Sequence, residues 1–182
     1  MGFEQEPEPG DDQALAATLL NGARAGDARA AAELDRLYRN RLLSFCWRYL
    51  GTPEEAEDAT QEVLLRMLGS QEVPHRFRAW AYRIARNHCL NVLRRRPPRA
   101  RTLPPPSLLD ARMTGHLTRL VRNEQHSRIR HALDALPPAQ QEALALRYAD
   151  DLSRAEVAYV LDVPLSTVKS RLCQGLKNLR RS

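Results

Sequence analysis

Ser153-Arg154-Ala155-Glu156-Val157-Ala158-Tyr159-Val160-Leu161-Asp162-Val163-Pro164-Leu165-Ser166-Thr167-Val168-Lys169-Ser170-Arg171-Leu172 packs two helix signals and a turn into twenty residues. Ser153 and Glu156 form a capping box that opens a short helix to Leu161. Asp162-Val163-Pro164 is the turn. The next helix puts Val168, Leu172, Leu176 and Leu179 on one face and Ser170, Gln174, Lys177 and Arg181 opposite, with Lys169 and Arg171 on the flanks. No acid follows Asp162. The pattern fits a helix-turn-helix whose second helix lies in the major groove of DNA. Spacing alone leaves an ordinary helical hairpin open as well.

Moving outward, the same unit begins near Glu124 and passes through Leu136-Pro137-Pro138. Upstream, almost everything reads helical: Ala, Leu, Arg and Glu dominate, aromatics are few and strand-like alternation is missing. A first helix runs from Asp12 to about Ala23, and Gly26-Asp27 breaks it. A second runs to Leu50, with Leu34, Leu37, Tyr38, Phe45 and Tyr49 at helical spacing before Gly51. Thr52-Pro53-Glu54-Glu55 starts a third, which reaches about Leu68. Gly69 to Arg76 is a loop, and a fourth helix spans Phe77 to about Arg96, ended by Pro97-Pro98. The proline-rich, arginine-dotted stretch to Asn123 reads as a linker, with room for a short helix near Leu117 to Arg122. The expected organisation is an acidic tail (1–11), a helical domain (12–97), a linker (98–123) and a second helical domain (124–182). The fold class is all-α, two small helical domains joined by a flexible linker.

Charge narrows the partners. The 182 residues carry a formal charge of +6. The first twelve hold five acids and no Lys or Arg, leaving 28 basic against 17 acidic residues in the rest. Such an excess points to a polyanion, nucleic acid or an anionic membrane surface. No apolar run approaches the roughly 18 residues of a bilayer span, and the acidic start is unlike a signal peptide. The expectation is a soluble, cytoplasmic chain. Cys46, Cys89 and Cys173 are scattered and odd in number, with no zinc spacing, so no metal and no cofactor is expected and the thiols are read as reduced, in or near a core.

Two further surfaces carry chemistry. On the third helix Ala56, Ala59, Val63 and Met67 share one side, while Asp58, Gln61 and Glu62 share the other. That face reads as a solvated acidic surface or a partner surface. Catalytic carboxylates are the weakest option, since no nucleophile, histidine or metal set accompanies them. Between Val73 and Leu109 there are nine arginines and no acid. Phe77, Trp80, Ala81, Ile84 and Val92 supply the apolar stripe of the fourth helix, with Tyr82, Arg83, Arg86 and Asn87 beside or away from it. Arginines among aromatics suit phosphate contact and stacking on single-stranded nucleic acid. Trp80 itself is read as core.

Glu57-Asp58-Ala59-Thr60-Gln61-Glu62-Val63, then Phe77-Arg78-Ala79-Trp80-Ala81-Tyr82-Arg83-Ile84-Ala85-Arg86-Asn87, then Leu136-Pro137-Pro138 through Leu172 resemble the blocks of bacterial sigma-70 family RNA polymerase sigma factors, the compact extracytoplasmic-function (ECF) group above all. The resemblance implies a subunit that binds core RNA polymerase (β′ clamp and β), directs it to promoters and promotes melting, with no catalysis of its own. It assigns Asp58, Gln61 and Glu62 to the β′ clamp. It assigns Arg76, Arg83, Arg86 and Asn87, with the loop Gly69 to Arg76, to the −10 element. Thr167, Lys169, Ser170, Arg171 and Gln174 fall to the −35 element. An anti-sigma factor is an implied partner, and the linker is implied to thread the polymerase channel.

Two departures from the family pattern stand out. The loop before Phe77 lacks the Phe-Arg-Gly type sequence of related proteins. Gly175 stands where many relatives carry Ala, at a cost of about 1 kcal/mol in helix propensity. The competing reading is a stand-alone helix-turn-helix regulator, which leaves the Asp58/Gln61/Glu62 face without a use.

Overall fold

The structure, a computed structural model, describes residues 11–72, 74–96 and 132–180. All regular structure among them is helical. Four helices form the N-terminal part: α1 (Asp11–Arg24), α2 (Ala28–Leu50), α3 (Pro53–Gly69) and α4 (Phe77–Arg95). The C-terminal part holds α5 (Pro138–Leu144), α6 (Arg154–Leu161) and α7 (Leu165–Leu179). The expected linker, including the short helix near Leu117, lies outside the described residues, as does the acidic tail to residue 10.

The boundaries follow the local chemistry. Asp27 caps α2 by accepting from the backbone N–H groups of Arg29 and Ala30. Gly51 ends α2 at φ 85°, a left-handed conformation that costs glycine no Cβ clash. Thr52 then caps α3 by accepting from the Glu55 N–H, with Pro53 in the first turn. The Glu55 carboxylate does not close a full box: it accepts from the Thr52 hydroxyl at 2.8 Å and from Arg96 at 2.6 Å.

The N-terminal core is aromatic. The Phe45 ring on α2 meets the Tyr82 ring on α4 edge-on at 5.1 Å, and Tyr38 meets Phe77 at 5.0 Å. Phe77 also touches Trp80 at 5.6 Å. Leu20, Leu42, Val63 and Met67 fill the space around these rings and are fully buried. Each such side chain contributes on the order of 1.5–3 kcal/mol by leaving water.

Tyr82 departs from its expected place beside the stripe: it is 1% exposed. One turn of α4 therefore faces inward on two sides, one towards α2 and one towards the C-terminal part, whose α6 packs against α4. Cys46 and Cys89 lie in the core as expected, whereas Cys173 is exposed on α7.

In the C-terminal part Leu144, Leu146, Leu152, Val157, Val160, Val168 and Leu172 are buried, and they continue the apolar core of the N-terminal part. After α5 the chain widens for one turn: the Asp150 N–H donates to the Ala145 carbonyl and the Leu152 N–H to that of Leu146. Gly175 now has a reason. A Cβ there would stand 2.9 Å from Leu144 Cδ1, so glycine lets α7 settle on α5 at the expense of propensity.

Candidate nucleic-acid and polymerase interfaces

Three surfaces hold the residues singled out by the sequence. On α3, Asp58 and Gln61 are exposed and Glu62 is half-buried. The hydrogen bond from Arg66 Nε at 2.7 Å holds the Glu62 carboxyl below its ordinary value. Leu65, 64% exposed, completes this row one turn along. An apolar residue three to four positions after two polar ones is a readable signal for a mixed contact surface, and the sequence reading passed over it.

The second surface is α4 with the loop before it. Residues 70–72 and 74–76 are anchored from two sides. Arg24 on α1 donates to the Glu72 carbonyl at 3.0 Å and to the Met67 carbonyl at 2.8 Å. The indole N–H of Trp80 donates to the Glu72 carboxylate at 3.1 Å, and the Gln13 amide donates to the His75 carbonyl. Trp80 is 4% exposed, core as expected, with its polar edge used to hold the loop.

Arg76 and Asn87 are exposed. Arg83 and Arg86 are engaged with the C-terminal part. Arg86 grips Glu142 through Nε (2.7 Å) and Nη2 (3.3 Å), and the Tyr49 hydroxyl donates to the same carboxylate. Arg83 lies 4.8 Å above the Tyr159 ring and 3.4 Å from Asp162.

Two more arginines complete this seam. Arg78 holds Glu156 at 2.8 and 3.2 Å. Arg48 on α2 pairs with Asp150, the side chains being 9% and 4% exposed. Burial pushes the Asp150 carboxyl up, against the opposing pull of Arg48. Burial also raises Glu156, but the Arg78 and Ser153 hydrogen bonds outweigh it and leave that carboxyl below its ordinary value. A cleft of about 580 Å³ opens alongside, lined by Phe45, Tyr49, Leu90, Leu146, Leu161 and Arg171, among others.

The third surface is the helix-turn-helix. Ser153 and Glu156 form the full capping box: the Glu156 N–H donates to Ser153 Oγ (3.2 Å) and the Ser153 N–H to Glu156 Oε2 (2.8 Å). Asp162, at φ 57° and ψ 48°, ends α6 in the left-handed region that Asp tolerates better than most residues. Val168 and Leu172 seat α7 on the core. Lys169, Ser170 and Gln174 are exposed, while Thr167 and Arg171 are half-buried. Leu176, placed on the core face by its spacing, is 36% exposed. Among the described residues no group of three or more His, Cys, Asp or Glu could hold a metal ion, and no helix is long and apolar enough to cross a membrane.

An all-helical chain that pairs an acidic outward face and an arginine-rich helix with a helix-turn-helix belongs to the class of multidomain DNA-binding proteins. Comparison with known proteins makes this specific. Residues 34–98 match the model of Sigma-70 region 2, and residues 126–179 match that of Sigma-70, region 4. The chain is 32% identical to the ECF RNA polymerase sigma factor SigM of Mycobacterium tuberculosis (H37Rv), over all of this chain and 88% of that protein. It is 29% identical to the ECF RNA polymerase sigma factor SigW of Bacillus subtilis, over 89% of this chain and 93% of that one.

The fold is similar to that of CnrH in complex with the cytosolic domain of CnrY (TM-score 0.63, 22% identity, 92% of this chain and 96% of that chain). It is also similar to the sigma factor RpoE in complex with the anti-sigma factor NepR from Bartonella quintana (TM-score 0.59, 22% identity, 82% and 94%). The chain belongs to the ECF group of the sigma-70 family of RNA polymerase sigma factors.

Proposed function

We propose that this chain binds core RNA polymerase, carries it to promoters of two-part sequence and promotes opening of the −10 element, the polymerase supplying all catalysis in the cytoplasm. The observation that carries the reading is the presence of both sigma-70 regions in order in one chain. In this reading the domains divide near residues 12–97 and 124–182. The outward row of Asp58, Gln61 and Glu62, extended by Leu65, takes the β′ clamp. Arg76, Arg83, Arg86 and Asn87 take the −10 strand, with the anchored loop beside them. Unstacking a base costs a few kcal/mol, which stacking and arginine–phosphate contacts offset.

Thr167, Lys169, Ser170, Arg171 and Gln174 take the −35 duplex, where α7 enters the major groove. An anti-sigma factor is the proposed restraining partner; of the two structures of similar fold, RpoE is in complex with the anti-sigma factor NepR and CnrH with the cytosolic domain of CnrY. The test is a titration of fluorescently labelled chain with core polymerase. Asp58→Lys with Glu62→Lys lowers affinity by about tenfold or more, as like charge is placed where opposite charge docked. Both groups are at the surface, so the helical circular dichroism is unchanged. Undiminished affinity of the double variant overturns the α3 interface.

A further inference from the structure

The loop before α4 is held by a helix that lies outside both matched stretches. α1 ends at Arg24, and the match to Sigma-70 region 2 begins at residue 34. The helix is fixed to the core independently of the loop: Ala16 and Leu20 are fully buried, and it packs on α2 and α3. From that base two side chains reach the loop. At one end of α1 the Gln13 amide donates to the His75 carbonyl. At the other, Arg24 donates through Nη1 to the Glu72 carbonyl (3.0 Å) and through Nη2 to the Met67 carbonyl (2.8 Å). The two ties leave α1 about 16 Å apart, at 1.5 Å per helical residue, so α1 lies along the loop.

Arg24 joins two elements with one planar group. The Met67 carbonyl belongs to the last turn of α3, where carbonyls lack helical partners. A guanidinium carries its donors in a fixed fork, so the same group sets the distance from the end of α3 to Glu72. Its Nε is buried with no hydrogen-bond partner among the described residues. An unpaired buried donor disfavours the fold, so the place of this arginine is set by its two terminal nitrogens. Glu72 is pinned at every polar group. Its N–H donates to Ser70 Oγ (3.1 Å), its carbonyl accepts from Arg24, and its carboxylate accepts from the Trp80 indole (3.1 Å). Gln71 and His75, on either side of it, are exposed.

Resting on the reading of this loop as the one beside the −10 strand, we propose that α1 is a brace for the loop and that Arg24 is a positioning residue for base choice. It fixes the backbone from which Gln71 and His75 meet an unstacked −10 base. Both side chains have suitable chemistry: an amide pairs with the donor and acceptor of a base edge, and an imidazole stacks on its face. Neither discriminates between bases unless its backbone is held, since a misplacement of about 1 Å spoils such contacts.

The test uses the full chain in two measurements. The first reads the brace in the free chain. The two tryptophans give two indole N–H signals in a nitrogen–proton correlation spectrum, assigned with Trp47→Phe. In Arg24→Ala the Trp80 indole proton is expected to exchange with solvent about tenfold faster, and in Gln13→Ala about threefold, with the Trp47 proton unchanged in both. The second reads base choice, by sequencing the starts that core polymerase and each variant make on fragmented DNA from the source genome. At the −10 position that the unaltered chain discriminates most, the preference is expected to fall about tenfold in Arg24→Ala, with the −35 motif unchanged. Arg24→Lys, a point charge in place of the fork, is expected to fall between. Val63→Ala lowers stability in the core of α3 without touching the loop, and is expected to leave both preferences unaltered.

Unchanged Trp80 exchange in both α1 variants overturns the brace. Faster exchange with an unaltered −10 preference overturns the role in base choice, as does a loss of −10 and −35 preference together. If the chain were no sigma factor, the unaltered protein would give no starts while the Trp80 signal still reported the brace, so the two failures are distinguishable.

Discussion

Helices α4 and α7 are both basic and both lack acids, yet they meet opposite fates. On α4, Arg78, Arg83 and Arg86 each reach a carboxylate from the other half of the chain. On α7, among the described residues, no ion pair engages Lys169, Arg171 or Lys177. The difference lies in what each helix faces. α7 turns Lys169 and Lys177 away from the core that Val168 and Leu172 join and out to solvent, with Arg171 half-buried beside the cleft. α4 is covered on a second side, where Tyr82 is buried and where the widened turn at 145–149 carries Asp150 inward to Arg48. Basic sequence marks affinity for anions; the fold decides whether the chain's own carboxylates meet it.

The contrast is broken most forcefully at Arg48. Arg48→Ala leaves Asp150 buried without its counter-charge, a loss of about 3–5 kcal/mol, limited by the energy that holds the two halves together since separation rehydrates the carboxylate. Small-angle scattering should show an expanded chain, and urea titration a lower midpoint. A compact variant of unchanged midpoint would remove Arg48–Asp150 from the contact between the halves. A smaller effect is expected at Arg86→Ala, about 1–3 kcal/mol, because Glu142 and the Tyr49 hydroxyl lose a charged partner in a half-buried setting. Lys169→Ala, at an exposed position on α7, should stay within about 0.5 kcal/mol by the same titration.

On duplex promoter bound with polymerase the order reverses at α7. Lys169→Ala and Arg171→Ala should each weaken binding and lower the salt slope by up to about one. An unaltered footprint at −35 in both variants would remove α7 from that contact.

Most of the helical layout was legible. Thr52-Pro53, Gly51, Ser153 with Glu156 and the turn at Asp162-Val163-Pro164 each encode a terminus within a few residues, and the structure places termini there. The exposed acidic face of α3 was legible for the same reason, since helical spacing separates it from Ala56, Ala59 and Val63. The seam between the halves was not. Glu156 and Asp162 each have a sufficient local explanation, a capping box and a helix end, which concealed their second partners Arg78 and Arg83. Helical spacing on α4 defines one apolar stripe that leaves Tyr82 beside it, whereas the fold covers α4 on two sides and buries Tyr82. Gly175 read as a loss of propensity, and only the position of Leu144 explains it.

The most direct test of the central claim is transcription in vitro with purified bacterial core polymerase, this chain and fragmented DNA from its source genome, with transcript starts sequenced. The account predicts discrete starts, dependent on the added chain, that share a two-part upstream motif. No added starts, from a core shown active with another sigma factor, would contradict it.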